Sequence, residues 1–317
     1  LFAHYGQFPG FYSADWLGFR CARNGPNAVG NQGAMDIDDE AEVPKVKPVD
    51  EAQFRAMLRH YDYDKTPLDA QIVQVNETDD WRREKITYRG AGPDRALGYL
   101  WLPKHAPRPL QLINYDPGGA SYSGITVPQE VEVVCAPFIK SGRAVFVTVL
   151  QGMSEREIPP EFVDAKESSV KFRDLTVSES IDQRRGLDYL ETRPEIDTKK
   201  VASFALSAGG THVVLRAVET RYKSILILSG GLYNPPDIIP EAAPVNFAPY
   251  IKVPKLMLHG RYDEGIQLKT GAEPLFKLLS EPKKMILYDS GHFPPMEKWV
   301  PDAQRFFDET LGPVRSQ

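Results

Sequence analysis

A chain of 317 residues that is 42% hydrophobic can bury one large core, and its net charge of −5 argues against a basic face for nucleic acid. The longest apolar runs, such as 225–228, are far too short to span a bilayer, and two cysteines, Cys21 and Cys135, do not make a disulfide framework. No Cys/His group has metal-ligand spacing, no Gly-rich phosphate loop precedes a lysine, and no signal peptide is evident, so a cytoplasmic enzyme with no metal and no other cofactor is expected.

In chain order, residues 1–25 form a tail rich in Trp, Phe, Gly and Arg. Residues 26–48 read as a linker, with an acidic run at 36–40 followed by Pro44 and Pro48. Two units are therefore expected: an arm and linker over 1–48, and a larger domain over 49–317. Asp50 can cap a helix running to about Tyr61, because Phe54, Met57 and Leu58 share a face. Segments 71–76, 83–89 and 97–102 alternate in polarity and predict antiparallel strands that open a sheet.

Beyond them, strand and helix alternate. Strands are predicted at 110–115, 144–150, 202–205, 225–229, 255–259 and 284–288. Helices are predicted at 178–193, 211–219 and 301–311. Such alternation implies a mostly parallel, doubly wound α/β sheet. Cys135, among valines and alanine, reads as a core residue. Segments 151–176 and 230–250 leave strand ends and are too short for a large cap domain, so an open pocket is expected.

The most telling stretch is Ala205-Leu206-Ser207-Ala208-Gly209. A buried strand precedes it and a helix follows, and the serine has a small residue two positions away on each side. That is the pattern of a nucleophile elbow, a strained turn in which larger neighbours would clash. Such a serine needs an acid and then a base further along the chain. Asp263 follows the strand at 255–259 and His292 follows the strand at 284–288, so all three would share the C-terminal edge of a parallel sheet. Glu264 competes with Asp263. His4, His60, His105, His212 and His259 fit the base role less well than His292, and His212 is expected to pack on the helix after the elbow. A neutral His292 is required of a base, so activity is expected to rise with pH. The turn Asp116-Pro117-Gly118-Gly119-Ala120 lets backbone N–H groups approach an oxyanion, and Gly119 with Ala208 are the expected donors, with Gly118 or Ala120 open by one residue of register.

These motifs jointly resemble the α/β-hydrolase superfamily, in its esterase and dienelactone-hydrolase-like branch, over about residues 66–314. The resemblance implies acyl transfer to water through an acyl-serine, with catalytic Ser207, Asp263 and His292. Separately, residues 11–23, which contain Gly18-Phe19-Arg20-Cys21, resemble the closing segment of formylglycine-generating (sulfatase-modifying-factor) domains. With a start at Leu1, this suggests a piece of a longer protein, of the bacterial type that joins a kinase, a sulfatase-modifying-like domain and a hydrolase.

The expected function is a serine carboxylesterase acting on small, short-chain acyl esters. Gly118, Tyr122, Tyr233 and Phe293 are candidates for contact with substrate, and Phe247 is a further candidate for the pocket wall. Readings that stay open are a non-catalytic ligand-binding module of a signalling protein and a related peptidase, lactonase or phosphotriesterase. The partner expected is a small-molecule ester, with no nucleic acid and no membrane. Trp16, Leu17 and Phe19 are expected to anchor the arm to a hydrophobic surface, with a homodimer through that arm as one arrangement.

Overall fold

The computed structural model describes residues 47–314. The arm anchors Trp16, Leu17 and Phe19, and the segment 11–23, lie outside the described residues.

Among the described residues nine strands form one sheet: β1 Gln71–Glu77, β2 Trp81–Arg89, β3 Arg95–Pro103, β4 Leu110–Asp116, β5 Ala144–Val149, β6 Ile196–Leu206, β7 Tyr222–Leu228, β8 Lys255–Gly260 and β9 Lys283–Tyr288. Their spatial order is β1-β2-β3-β5-β4-β6-β7-β8-β9. The pairs from β1 to β5 across β2 and β3 are antiparallel, and every pair from β5 to β9 is parallel. β4, β5 and β8 are buried along their whole length, as expected of strands covered on both faces. The chain therefore has the α/β-hydrolase arrangement, with antiparallel strands first and no large cap among the described residues.

The order of connection creates the site. After β4 the chain steps one way to β5, then crosses back over β4 to β6. The loops leaving β4 and β6 therefore part in opposite directions above two adjacent strand ends, and such a switch point opens a crevice. Helices cover both faces. α1 Glu51–Leu58, α4 Val170–Glu191, α6 Val213–Val218 and α7 Glu273–Leu278 lie on one face, while α2 Val127–Val134, α3 Ala136–Lys140 and α8 Met296–Leu311 lie on the other; α5 Ala208–Thr211 follows β6 directly. The core of the second face holds Phe138, Phe204, Trp299 and Phe307, rings packed mainly edge-on or tilted. Cys135 lies buried in that core as a free thiol.

Several elements differ from the sequence expectation. α4 begins at Val170, because Ser169 caps it by accepting from the Phe172 N–H. The segment 151–176 is thus partly helix. The helix expected over 211–219 is broken at His212, whose ψ of 52° leaves the helical region between α5 and α6. Pro301 lies inside α8 rather than at its start. The i, i+4 series Trp299, Ala303, Phe307 and Leu311 is buried against the sheet, and this offsets the ~3 kcal/mol that an internal proline costs. α2 was not expected, although Thr126 and Gln129 form a reciprocal capping box that signals its start. Among the described residues, no helix is long and apolar enough to cross a membrane.

Candidate active site

The three residues picked from sequence meet at the C-terminal ends of β6, β8 and β9. Ser207 follows β6 with φ 51° and ψ −113°, a conformation that costs of order 1–3 kcal/mol for a residue with a side chain. The fold overrides that cost. The Ser207 N–H donates to the Leu228 carbonyl at 2.9 Å, and the Gly209 N–H donates to the Pro117 carbonyl at 3.0 Å. A Cβ on Gly209 would lie 2.3 Å from the Asp116 carbonyl oxygen, so only glycine lets the elbow seat against the end of β4. Ala205 pairs with Asp116 and Ile227 at the centre of the sheet, where it is fully buried.

The Ser207 Oγ lies 2.7 Å from His292 Nε2, and His292 Nδ1 lies 2.8 Å from each oxygen of Asp263. A carboxylate only accepts, so Nδ1 carries the proton and the Nε2 lone pair faces the serine hydroxyl. Asp263 is buried and also accepts from the N–H groups of Gly265 at 2.9 Å and Ile266 at 2.8 Å. Those donors hold the carboxylate in place. Glu264, the sequence competitor, does not take that position.

The loops that carry Asp263 and His292 are clamped together. The Arg261 N–H donates to the Tyr288 carbonyl at 2.9 Å and the Tyr262 N–H to the Ser290 carbonyl at 3.0 Å. A Cβ on Gly260 would stand 2.0 Å from the Gly291 oxygen, so glycine is needed there too. Two residues that sequence reasoning missed complete the clamp. Ser229, itself at φ 51°, donates its hydroxyl to the His292 carbonyl. His259 is fully buried, and its Nε2 lies 2.9 Å from the Ile266 carbonyl and 3.5 Å from Asp263 Oδ2. Burial lowers the His259 pKa, only partly opposed by Asp263, so this imidazole is neutral and gives its Nε2 proton to the carbonyl. Both stand at the ends of predicted strands, but no local motif says what their side chains bond.

The Gly-rich turn after β4 stands beside the elbow. A Cβ on Gly119 would lie 3.8 Å from the Ala208 Cβ. The Gly118 N–H donates to Glu130 Oε1 at 2.6 Å and is committed there, which removes Gly118 from the register alternatives for an oxyanion donor. Asp116, just before the turn, is buried and accepts from Arg216 at 3.0 Å, with His212 Nδ1 3.4 Å away. Burial pulls the His212 pKa down, but the carboxylates of Asp116 and Glu179 more than offset this and raise it. His212 thus belongs to an ionic cluster beneath the site.

Of the expected pocket residues, Tyr122 is 40% exposed at the end of the turn and Tyr233 is 50% exposed. The Tyr233 hydroxyl donates to Glu167 at 2.9 Å and ties the two flanking loops together. Phe293 packs edge-on against the His292 ring at 4.7 Å between centroids. The expectation for Phe247 does not hold. It is fully buried in a separate cluster against Phe54 and Tyr61, because the helical turn that carries it packs on α1 and α6. A surface cavity of about 200 Å³ opens at the other end of β8 and β9, lined by Lys284, Asp302, Arg305 and Phe306 among others, and holds no nucleophile and base pair.

No family profile and no curated protein sequence matches this chain. Solved structures do resemble it. An acetyl xylan esterase from Paenibacillus sp. R4 superimposes with a TM-score of 0.63 at 19% identity, covering 85% of this chain and 97% of its own. Acetyl xylan esterase 1 from Thermoanaerobacterium sp. JW/SL YS485 gives 0.65 at 16% identity, covering 84% and 95%. A glucuronoyl esterase from Solibacter usitatus gives 0.56 at 14% identity, covering 86% and 100%. At these identities the likeness establishes the fold.

Proposed function

We propose that this chain is a serine carboxylesterase that hydrolyses small, short-chain acyl esters through an acyl-serine. The observation that carries the reading is the continuous chain Ser207 Oγ, His292 and Asp263, with steps of 2.7 and 2.8 Å, on a strained elbow at the sheet edge. In this reading His292 takes the Ser207 proton as Oγ attacks the ester carbonyl. The N–H groups of Gly119 and Ala208 receive the developing oxyanion, and losing one such donor costs on the order of 2.7–4 kcal/mol. His292 then protonates the departing alcohol, Asp263 stabilises the transient imidazolium, and water repeats the sequence on the acyl-serine.

The short-acyl preference rests on the flanking loops. Neither 151–169 nor 230–243 is long enough to roof a groove for a fatty chain. Two of the similar structures are acetyl xylan esterases by name, which agrees with a small acyl pocket. Tyr122, Tyr233 and Phe293 are proposed to contact substrate beside Gly118. The test is hydrolysis of chromogenic esters of graded acyl length, with labelling by a serine-reactive phosphonate. Acetyl to butyryl esters should turn over fastest and the label should sit on Ser207. Labelling elsewhere, or a maximum at ten carbons or more, would refute the reading.

A further inference from the structure

We propose that Glu130, on α2, is a positioning residue that sets the geometry of the oxyanion turn; this rests on the esterase reading above. Glu130 is 7% exposed, and its carboxylate receives three hydrogen bonds from one short stretch of chain. Oε1 accepts from the Tyr115 hydroxyl at 2.7 Å and from the Gly118 N–H at 2.6 Å. Oε2 accepts from the Ser121 hydroxyl at 2.8 Å. Tyr115 is the penultimate residue of β4, Gly118 stands immediately before Gly119, and Ser121 stands two residues after it. The amide proposed as oxyanion donor is therefore held from both sides, while Glu130 itself touches neither Ser207 nor substrate.

The chemistry favours the ionised form for this task. Two oxygens must accept three hydrogens, and a carboxylate does so without giving up an acceptor site. Ionisation has a cost to folding. Burial pushes the Glu130 pKa up, and the Gly118, Tyr115 and Ser121 donors only partly oppose this. A carboxyl whose pKa is raised by folding loses stability as pH rises through the folded value. The ionised form that the turn calls for is thus the form that burial disfavours. A purely structural residue would show the opposite pattern, with removal lowering stability first.

Glu130→Gln separates the two cases. It keeps the size, relieves the charge and breaks the three-donor arrangement. The expected result is an unchanged or higher melting temperature near neutrality, kcat for an acetyl ester lowered about tenfold or more, and KM within about twofold. Loss of a whole oxyanion donor would cost about 10²–10³ in kcat, so a shifted donor should fall short of that. Binding of a boronic acid that mimics the tetrahedral intermediate should weaken by the same factor as kcat. Ser121→Ala, which removes one of the three donors, should give a smaller fall in the same direction and serves if Glu130→Gln does not fold. Wild-type kcat in a folded Glu130→Gln protein would overturn the proposal, as would a fall in kcat with undiminished boronic acid binding. If the wild-type protein hydrolyses no ester and Ser207 resists the phosphonate, the esterase reading fails instead.

Discussion

The floor of the crevice and its rim are built by opposite rules. On the floor, Asp263 receives bonds from His292, Gly265 and Ile266, Glu130 receives three, and Ser229 fixes the carbonyl of His292; Asp263, Glu130 and Ser229 are all buried. On the rim, Tyr122, Ile158, Val163, Val170 and Tyr233 stand 40–65% exposed. One side-chain bond, Tyr233 to Glu167, links the loops there. The difference follows from what each must do. In the proposed acyl transfer charge would develop on the floor, where a displaced donor or base loses rate steeply. The rim would offer apolar area to the part of a proposed ester substrate that lies outside, and such contacts tolerate variation.

The largest expected effect tests the floor directly. Ser207→Ala should fold normally and lower kcat roughly 10³-fold or more, since triad members act as a unit. Asp263→Asn should fall in the same range, because an amide in that place favours the wrong tautomer of His292. The check is steady-state hydrolysis of an acetyl ester with circular dichroism of each variant. Near-normal turnover in either would mean that the floor is not the reacting centre.

Ser229→Ala is the next step down. It removes the hydroxyl that holds the His292 carbonyl and leaves every group of the triad in place. A fall in kcat of about tenfold, with KM little changed, is expected if base position matters as argued. Full activity would show that the clamp of Gly260, Tyr262 and Ser290 suffices alone.

How much of this was visible in the sequence depends on range. Asp116, Ser207, Asp263 and His292 stand at strand ends, and a strand end can be recognised from a local run of apolar residues. Their convergence then follows from the parallel sheet. Ser229 and His259 also stand at the ends of predicted strands, but nothing in the sequence says what their side chains touch, and Glu130 lies on a helix that was not expected. Glu130 acts on Gly118 across 12 residues and Ser229 on His292 across 63, while His259 reaches Ile266 across seven. Phe247 misled because an aromatic residue in a loop reads the same whether it faces a pocket or α1. Pro301 misled because helix burial outweighed the usual rule for proline.

A further contrast is electrostatic. Under the floor, burial pushes the pKa of Glu179 up to about 7, Asp116 and Asp182 add to this, and His212 and Arg156 oppose it. The folded value lies above the unfolded one, so this residue's contribution is whole below the unfolded pKa near 4.5 and is lost as pH rises toward and through 7. Glu179→Gln should therefore raise the melting temperature by a few degrees at pH ~8 and leave it unchanged at pH ~4.5. Melting curves across that range decide it. An equal effect at both ends would show that Glu179 is not strained by its surroundings.

The smallest effect is expected at the rim, and there a null result is informative. Tyr233→Phe removes the side-chain hydrogen bond to Glu167, keeps the ring and leaves the Ile239 N–H bond to the Glu167 carbonyl in place. Tyr233 is exposed and Glu167 half-buried, and the bond itself lies open to solvent, so it is in competition with water and its loss should change stability by at most about 0.5 kcal/mol. For an acetyl ester of a small alcohol, kcat/KM should stay within about twofold of wild type. For an ester with a bulky aromatic alcohol, KM should move more than kcat, because ground state and transition state gain alike from contact with the rim. The measurement is kcat and KM for the two esters side by side. A loss of kcat on the small ester comparable to Ser229→Ala would place Tyr233 in the reacting machinery, and the division between floor and rim would have to be redrawn around residues 230–243.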